Sequence, residues 1–169
     1  ISDILRDCNA DIIALQELDC GRARSKNIDQ PQSIADELGM HMLFYSCDGW
    51  KDGKYGNAIL SKHPITLVRS ANLPGLGRYE PRGAIWAEII INNQPVHVVN
   101  THRGLTAAER AVQVRALLGA EWMGAHAFSE SAVLCGDINF SPRDPLYHVF
   151  TERLRDVQRV QRARRAFPT

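Results

Sequence analysis

The sequence lacks long apolar runs and a marked excess of charge of either sign. Its longest apolar stretches are strand-sized, well short of the ~18–20 residues of a membrane-spanning helix. Twenty basic residues stand against nineteen acidic ones, so the formal net charge is only +1. A protein that coats nucleic acid is usually strongly basic, and this balance argues against that class.

Cysteine is scarce and scattered along the chain. The four cysteines stand at positions 8, 20, 47 and 135, and no two have the C-x-x-C spacing of a zinc or redox site. Isolated thiols favour a reducing compartment, so we predict a cytoplasmic protein, and we expect it to be a monomer. The sequence also contains no P-loop and no H-E-x-x-H motif.

Length and composition predict one folded domain, residues 1–169. With 169 residues, 44% of them hydrophobic, the chain is long enough to bury a core without disulfides or a structural metal. It begins at Ile1, within a helical apolar pattern, and not at a methionine. We therefore expect the domain to be partial, a fragment of a longer protein.

Apolar periodicity and turn residues predict an α/β (α+β) fold with mixed sheets. The strongest signal is a hairpin, because Gly83–Ile91 and Pro95–Thr101 flank Asn92-Asn93-Gln94 and asparagine tolerates the left-handed backbone of tight turns. Thr106 and Glu109 predict a capping box at the start of a helix. The other predicted elements are helices at 1–9, Gln32–Leu38 and Pro145–Leu154, strands at Asp11–Glu17, His41–Ser46, Asn57–Ser61, Ile65–Ser70 and Ser131–Gly136, and loops at 19–31, Cys47–Gly56 (mobile) and Asn72–Pro81.

Three apolar, strand-like runs end in polar residues that chemistry uses. These ends are Leu15-Gln16-Glu17, Asn100-Thr101-His102 and Gly136-Asp137-Ile138-Asn139. In layered α/β proteins, polar groups just past apolar strands gather in one crevice, where ligands bind. Carboxylates, amides and one imidazole, without a thiolate cluster, favour a hard cation such as Mg²⁺ over zinc. Each motif taken alone is better explained as an ordinary strand end or a structural histidine.

Together and in this order, the motifs resemble the endonuclease/exonuclease/phosphatase superfamily of magnesium-dependent, deoxyribonuclease-like proteins. The matching blocks are Ala10–Glu17, Tyr55–Ser61, Pro81–Ala84, Val99–His102 and Cys135–Asn139. The resemblance covers essentially the whole chain and implies a four-layer α/β sandwich, with two mixed sheets flanked by helices and incomplete edges. The family pattern also has an asparagine before the first helix and a Ser-Asp-His block near the C-terminus, and the chain begins and ends between them.

The resemblance implies a metal-dependent phosphoesterase that hydrolyses phosphodiesters. It assigns Mg²⁺, with Mn²⁺ as a substitute, to Glu17, and it makes His102, Asp137 and Asn139 the catalytic residues. Phosphate binding is expected from Asn57, Arg82 and Arg103, the last of which stands where the family usually shows leucine.

The resemblance leaves the substrate open between nucleic acid, phospholipid, inositol phosphate and a smaller phosphate ester. Segments Arg22–Lys26 and Trp50–Tyr55 suit a nucleic-acid groove, although Trp50 equally suits an apolar rim for lipid. The alternative is a non-catalytic remnant that binds phosphate, nucleic acid or anionic lipid. Its candidate surface is an arginine-rich end, which a solvated face explains better: Arg153, Arg155, Arg159, Arg162, Arg164 and Arg165.

Overall fold

The computed structural model of the chain describes residues 1–77, 79–124 and 131–159, apart from the side chains of residues 49 and 50. The chain divides into two compact units, Ile1–Asn139 and Phe140–Thr169. The first unit contains every predicted site residue. That the whole chain forms a single domain stays a prediction.

Helices and strands alternate irregularly in the first unit. Its described elements are α1 Ser2–Cys8, β1 Ile12–Cys20, a short 3-10 turn at Ala23–Ser25, α2 Gln30–Leu38, β2 His41–Trp50, β3 Gly53–Ser61, β4 Ile65–Asn72, β5 Gly83–Ile91, β6 Gln94–His102, α3 Ala107–Leu117 and β7 Ser131–Asp137.

The strands form two sheets. One has the order β1-β3-β2 and is antiparallel throughout its described strands. The other has the order β4-β5-β6-β7, with antiparallel pairs up to β6 and a parallel pair between β6 and β7. With helices flanking these sheets, the predicted α/β sandwich is confirmed, and the mixed pairing lies in the second sheet.

Strand β3 is buried on both faces and links two hydrophobic clusters. Ala58 and Leu60 belong to a cluster with Ile34 and Ala35 of α2. Ile59 lies in a second cluster with residues of β5 and β6, namely Ile85, Ala87, Ile89 and Val98. Because alternate side chains of a strand point to opposite faces, β3 packs against a helix on one side and against the other sheet on the other.

The predicted hairpin and capping box are confirmed. Asn92 and Asn93 both have left-handed φ angles, 51° and 60°, and they connect β5 directly to β6. The Thr106 hydroxyl accepts a hydrogen bond from the Glu109 backbone N–H at 3.3 Å and donates to the Glu109 carboxylate at 3.1 Å. Helix α3 buries Val114 and Leu117, whereas Leu118 at its C-cap position is half-buried.

The predicted mobile loop at Cys47–Gly56 is wrong. Strand β2 continues to Trp50 and β3 begins at Gly53, so most of this segment lies in an antiparallel ladder. The glycines that indicated a loop serve close packing instead, since a Cβ on Gly56 would lie 1.9 Å from the Tyr45 carbonyl oxygen. The predicted loop at 19–31 is wrong at both ends, because β1 runs to Cys20 and α2 begins at Gln30.

The second unit contains α4, Pro145–Thr151. The Asp144 carboxylate caps this helix by accepting the Leu146 N–H at 2.9 Å. The helix ends at Thr151, three residues before the predicted end at Leu154. A turn closed by a hydrogen bond from the Leu154 N–H to the Phe150 C=O follows it. Part of the arginine-rich end, including Arg162, Arg164 and Arg165, lies outside the described residues. No helix in the described part of the chain is long and apolar enough to cross a membrane.

Candidate active site at the ends of three strands

A β-bulge places Glu17 outside the regular ladder of β1. Leu15 pairs with Ala58 and Leu18 pairs with Gly56, so two residues of β1 face only Asn57 of β3. The extra residue, Glu17, has a left-handed φ of 61° and its side chain is 62% exposed. Bulges redirect side chains in this way, and here the result is an exposed carboxylate beside a buried sheet.

His102 lies between two carboxylates that come from different strands. It is the last residue of β6 and pairs in register with Asp137, the last residue of β7. His102 Nε2 lies 3.9 Å from Asp137 Oδ2, and His102 Nδ1 lies 3.7 Å from Glu17 Oε1. The three side chains that sequence reasoning placed in one crevice are therefore adjacent in the structure.

Arg82 contacts the same imidazole ring. Its Nη1 lies 3.0 Å from His102 Nδ1, and its Nη2 lies 3.5 Å from Glu80 Oε2. Burial, and after it the positive charge of Arg82, lowers the pKa of His102, while the Asp137 and Glu17 carboxylates act in the opposite direction. The net effect therefore favours the neutral form of the imidazole.

Strand β7 ends at Asp137, and a turn that contains Asn139 follows it. Gly136 has a φ of 127°, and a Cβ there would lie 1.8 Å from the Thr101 carbonyl oxygen, so glycine is required at this point. Asn139 has a left-handed φ of 51°, and its backbone N–H donates to Asp137 Oδ1 at 2.9 Å. The left-handed backbone at Asn139 therefore turns the chain back and brings the polar groups of Asp137 and Asn139 together.

Two predicted phosphate-binding residues are buried. Asn57 is 2% exposed, and its amide donates to the Gly83 carbonyl oxygen at 3.1 Å, next to Arg82. Arg103 has no exposed surface, and its guanidinium donates to the Ile138 carbonyl oxygen. Both side chains thus bind the backbone of segments that carry other site residues.

Asn100 connects the two sheets directly beneath the site. Its Nδ2 donates to the carbonyl oxygens of Leu15 and Ala58, both at 2.9 Å, and its Oδ1 accepts from Gln16 Nε2 at 2.7 Å. Asn100 and His102 both reach β1, as the two-residue period of a strand predicts. The amide therefore holds the bulge of β1 against β6.

Tyr55 lies beside the site, although the sequence suggested it only for a nucleic-acid groove and gave it no role at Glu17. Burial raises its pKa to about 12, with further contributions from the Glu80 and Glu17 charges and from a hydrogen bond to Glu17. The Arg24 guanidinium lies 5.1 Å from the centre of the Tyr55 ring and is bound to Asp19 by hydrogen bonds of 2.8 and 2.7 Å. Its place two residues before Asn57, on the strand facing the bulge, is the signal that could have identified it.

The two arginines of the loop after β1 lie close to carboxylates of neighbouring residues. Arg24 is bound to Asp19, and the Arg22 guanidinium lies 3.8 Å from Asp19 and 3.7 Å from Asp52. The loop therefore carries less uncompensated positive charge than its sequence indicates. The side chain of Trp50, the other part of the predicted groove, lies outside the described residues.

The donors near His102 fit a hard cation better than a structural zinc. Among the described residues, no group of three or more histidine, cysteine, aspartate or glutamate side chains is arranged to hold a metal. Glu17 offers one exposed carboxylate, and Mg²⁺ is commonly bound through one or two carboxylates together with water and substrate phosphate oxygens. Glu17 is thus one residue of the site that could hold such an ion.

Comparison with known proteins agrees with this architecture. A family model described as Endonuclease/Exonuclease/phosphatase family matches residues 1–169. The chain belongs to this family. Membership in the Endonuclease/Exonuclease/phosphatase family confirms the resemblance that the sequence blocks predicted.

Three relatives of this family member illustrate the range of similarity. The chain is 27% identical over 148 residues to "Uncharacterized protein YbhP" of Escherichia coli, an alignment that covers 82% of the chain and 57% of that relative. A functionally unknown conserved protein from Enterococcus faecalis has the same fold, with a TM-score of 0.75, 16% identity, and coverage of 94% of this chain and 64% of that one. A mannosyl-6-phosphatase from Bacteroides thetaiotaomicron gives a TM-score of 0.69 at 16% identity, covering 89% and 59%. The chain thus spans less than two thirds of the length of each of these three proteins.

Proposed function

We propose that this protein is a divalent-metal-dependent phosphoesterase that hydrolyses a phosphodiester by in-line attack of water. The observation that carries the proposal is that Glu17, His102 and Asp137 come together from three strands. Both carboxylates lie within 4 Å of the His102 imidazole ring. A carboxylate for a cation, a neutral imidazole and a second carboxylate are the groups that metal-assisted phosphate hydrolysis uses. Membership in the family and the likeness to a mannosyl-6-phosphatase support the broader class, phosphoester hydrolysis.

Glu17 would hold the ion, Mg²⁺ or Mn²⁺. When bound, such an ion polarises a phosphoryl oxygen and neutralises charge on the leaving oxygen. The exposed Glu17 carboxylate, raised out of the ladder by the bulge, leaves room for substrate oxygens and water beside it. Asn100 holds β1 and β3 against β6, and Tyr55 is hydrogen-bonded to Glu17 itself.

Asp137 is the candidate base. Its Oδ1 already accepts the Asn139 N–H, so Oδ2 is the oxygen that orients the attacking water and takes up its proton. Asn139 Nδ2 donates one hydrogen bond to the Arg103 carbonyl oxygen at 2.6 Å. Because an amide NH₂ has two hydrogens, the second can donate to an oxygen of the scissile phosphate.

His102 and Arg82 would stabilise the negative charge that develops on the phosphate. Neutral His102 retains one ring N–H to donate to a phosphate oxygen or to the leaving group. Arg82 brings a permanent positive charge to the same place, with its side chain 90% buried and oriented by Glu80. Donors that are already in place stabilise a transition state most, since they need no reorganisation.

The decisive experiment is an assay of the whole protein with Mg²⁺ and a simple phosphodiester, bis(p-nitrophenyl) phosphate. Asp137→Asn keeps the acceptor for Asn139 but removes the base, so we expect kcat to fall about 10²–10⁴-fold with little change in melting temperature. Asp7→Asn, an exposed carboxylate of α1, is the matched control and should behave as wild type.

Two results would contradict the proposal. One is wild-type turnover by Asp137→Asn. The other is a folded wild-type protein that shows no metal-dependent turnover of a diester or of p-nitrophenyl phosphate, a monoester, yet binds phosphate in a salt-sensitive manner. The second result would favour the non-catalytic binding module. Cytoplasmic location and a monomeric state stay predictions.

A further inference from the structure

Arg103 is the largest of the fully buried side chains in the described part of the chain. Burial of a guanidinium is costly unless hydrogen bonds compensate it, so a buried arginine calls for a structural or functional reason. It directly follows His102, at the point where β6 ends. Its contacts show what the residue holds in place.

Arg103 binds three consecutive residues at the end of β7 and in the turn that follows it. Its backbone N–H donates to the Asp137 carbonyl oxygen at 3.1 Å, and its own carbonyl oxygen accepts from Asn139 Nδ2 at 2.6 Å. Its guanidinium donates to the carbonyl oxygen of Ile138, between them. The first two contacts use the Arg103 backbone, so a substitution other than proline leaves their donor and acceptor in place. Of the three contacts, the third is the one made by the side chain.

The segment that carries Arg103 is itself anchored. The next residue, Gly104, donates its N–H to Gln113 Oε1 at 2.8 Å, and Gln113 is a buried residue of α3. On the other side, β7 ends at Asp137, and the turn that follows contains Asn139 with its left-handed backbone. Arg103 therefore connects an anchored strand end to an irregular turn.

We propose that Arg103 is a positioning residue, whose buried guanidinium fixes the turn at Ile138 and so holds Asp137 and Asn139 beside His102. The inference rests on the proposed function for its catalytic consequence, but its structural part stands on the contacts alone. It replaces the direct phosphate contact that the sequence suggested for Arg103, since a side chain with no exposed surface is out of reach of a substrate.

The test compares Arg103→Lys with Arg103→Met in the whole protein. Both variants keep a long aliphatic stem, but only lysine retains a cationic donor for the Ile138 carbonyl oxygen. Because displacements near 1 Å in a catalytic group cost about 100-fold, we expect kcat to fall about 10- to 100-fold in Arg103→Met, with KM changed less than about twofold. Arg103→Lys should recover a substantial part of that loss, and Arg115→Met, an exposed arginine of α3, should match wild type.

Amide hydrogen exchange gives a second measurement that does not need activity. We expect faster exchange at residues 137–139 in Arg103→Met than in Arg103→Lys or wild type, with unchanged protection in β3 and β5. Wild-type kcat and exchange in Arg103→Met would overturn the inference. Equal losses in both variants, accompanied by equal falls in melting temperature, would also overturn it, because they indicate a purely structural residue. If the wild type hydrolyses no phosphoester, the proposed function fails, while the exchange data still decide the role of Arg103.

Discussion

Arg82 and His102 are in direct contact, with the guanidinium Nη1 3.0 Å from the imidazole Nδ1. A permanent cation this close opposes a second positive charge on the ring. Two carboxylates flank the imidazole as well, yet the pKa of His102 is still lowered, first by burial and then by Arg82. Protonation of His102 is therefore disfavoured even though Glu17 and Asp137 are near.

Replacement of Arg82 by methionine should raise the pKa of His102, because it removes the charge that opposes protonation while it retains an aliphatic stem. NMR titration of the imidazole in the metal-free protein measures this shift directly. Arg6→Met, an exposed arginine of α1, should leave the His102 titration unchanged. A downward or absent shift in Arg82→Met would contradict the electrostatic role.

Glu17→Gln should weaken binding of Mn²⁺, followed by electron paramagnetic resonance. The amide has the size of the carboxylate but no charge. Loss of a residue that only supports a metal ligand lowers metal affinity about 10-fold or more, so loss of the Glu17 carboxylate should lower Mn²⁺ affinity at least ~10-fold. The bulge should remain, since it is a property of the backbone. Glu37→Gln, exposed on α2, should bind Mn²⁺ as the wild type does, and equal affinity in both variants would remove Glu17 from the metal site.

Asn100→Ala should destabilise the fold substantially. The change removes a side-chain donor from the carbonyl oxygens of Leu15 and Ala58 and opens a cavity between the sheets, at an expected cost of about 2–4 kcal/mol. Urea denaturation measures the difference. Gln94→Ala, at the exposed start of the same strand, should cost little. Comparable losses in the two variants would mean that Asn100 does not connect the sheets energetically.

The hairpin turn predicts opposite effects for two substitutions of Asn93. Glycine adopts the observed φ of 60° freely, so Asn93→Gly should be neutral or slightly stabilising. Valine resists a left-handed backbone, and Asn93→Val should lose about 1–2 kcal/mol. Thermal unfolding of both variants provides the test. Equal stabilities would show that the turn relaxes into another form.

Acid should destabilise the protein partly through Asp19. The hydrogen bond from Arg24 lowers the pKa of this carboxyl below its ordinary value of 3.8. A carboxyl with a depressed pKa in the folded state contributes stability above its ordinary pKa, and that contribution is lost as the pH falls below 3.8. In Asp19→Asn, stability should therefore depend less on pH in this acidic range than in wild type, as urea midpoints at several pH values would show.

Local chemistry explains which parts of the fold were predictable. The hairpin at Asn92-Asn93, the cap at Thr106 and the strand β5 depend on neighbouring residues, so the sequence predicted them with the observed bounds or nearly so. The ladder between β2 and β3 was missed, because glycine at Gly53 and Gly56 indicates a loop unless the close approach of another strand is known.

The sequence alone determined the order of the motifs, their positions at strand ends, and hence the identities of Glu17, His102, Asp137 and Asn139 as candidates. Only the tertiary structure decided their geometry. Glu17 leaves the ladder because one residue of β3 faces two of β1, and Arg103 turns inward because the carbonyl oxygen of Ile138 lies within its reach. Both facts depend on pairing between segments far apart in the chain, and such pairing is set by packing across the sheets, which local sequence patterns do not encode.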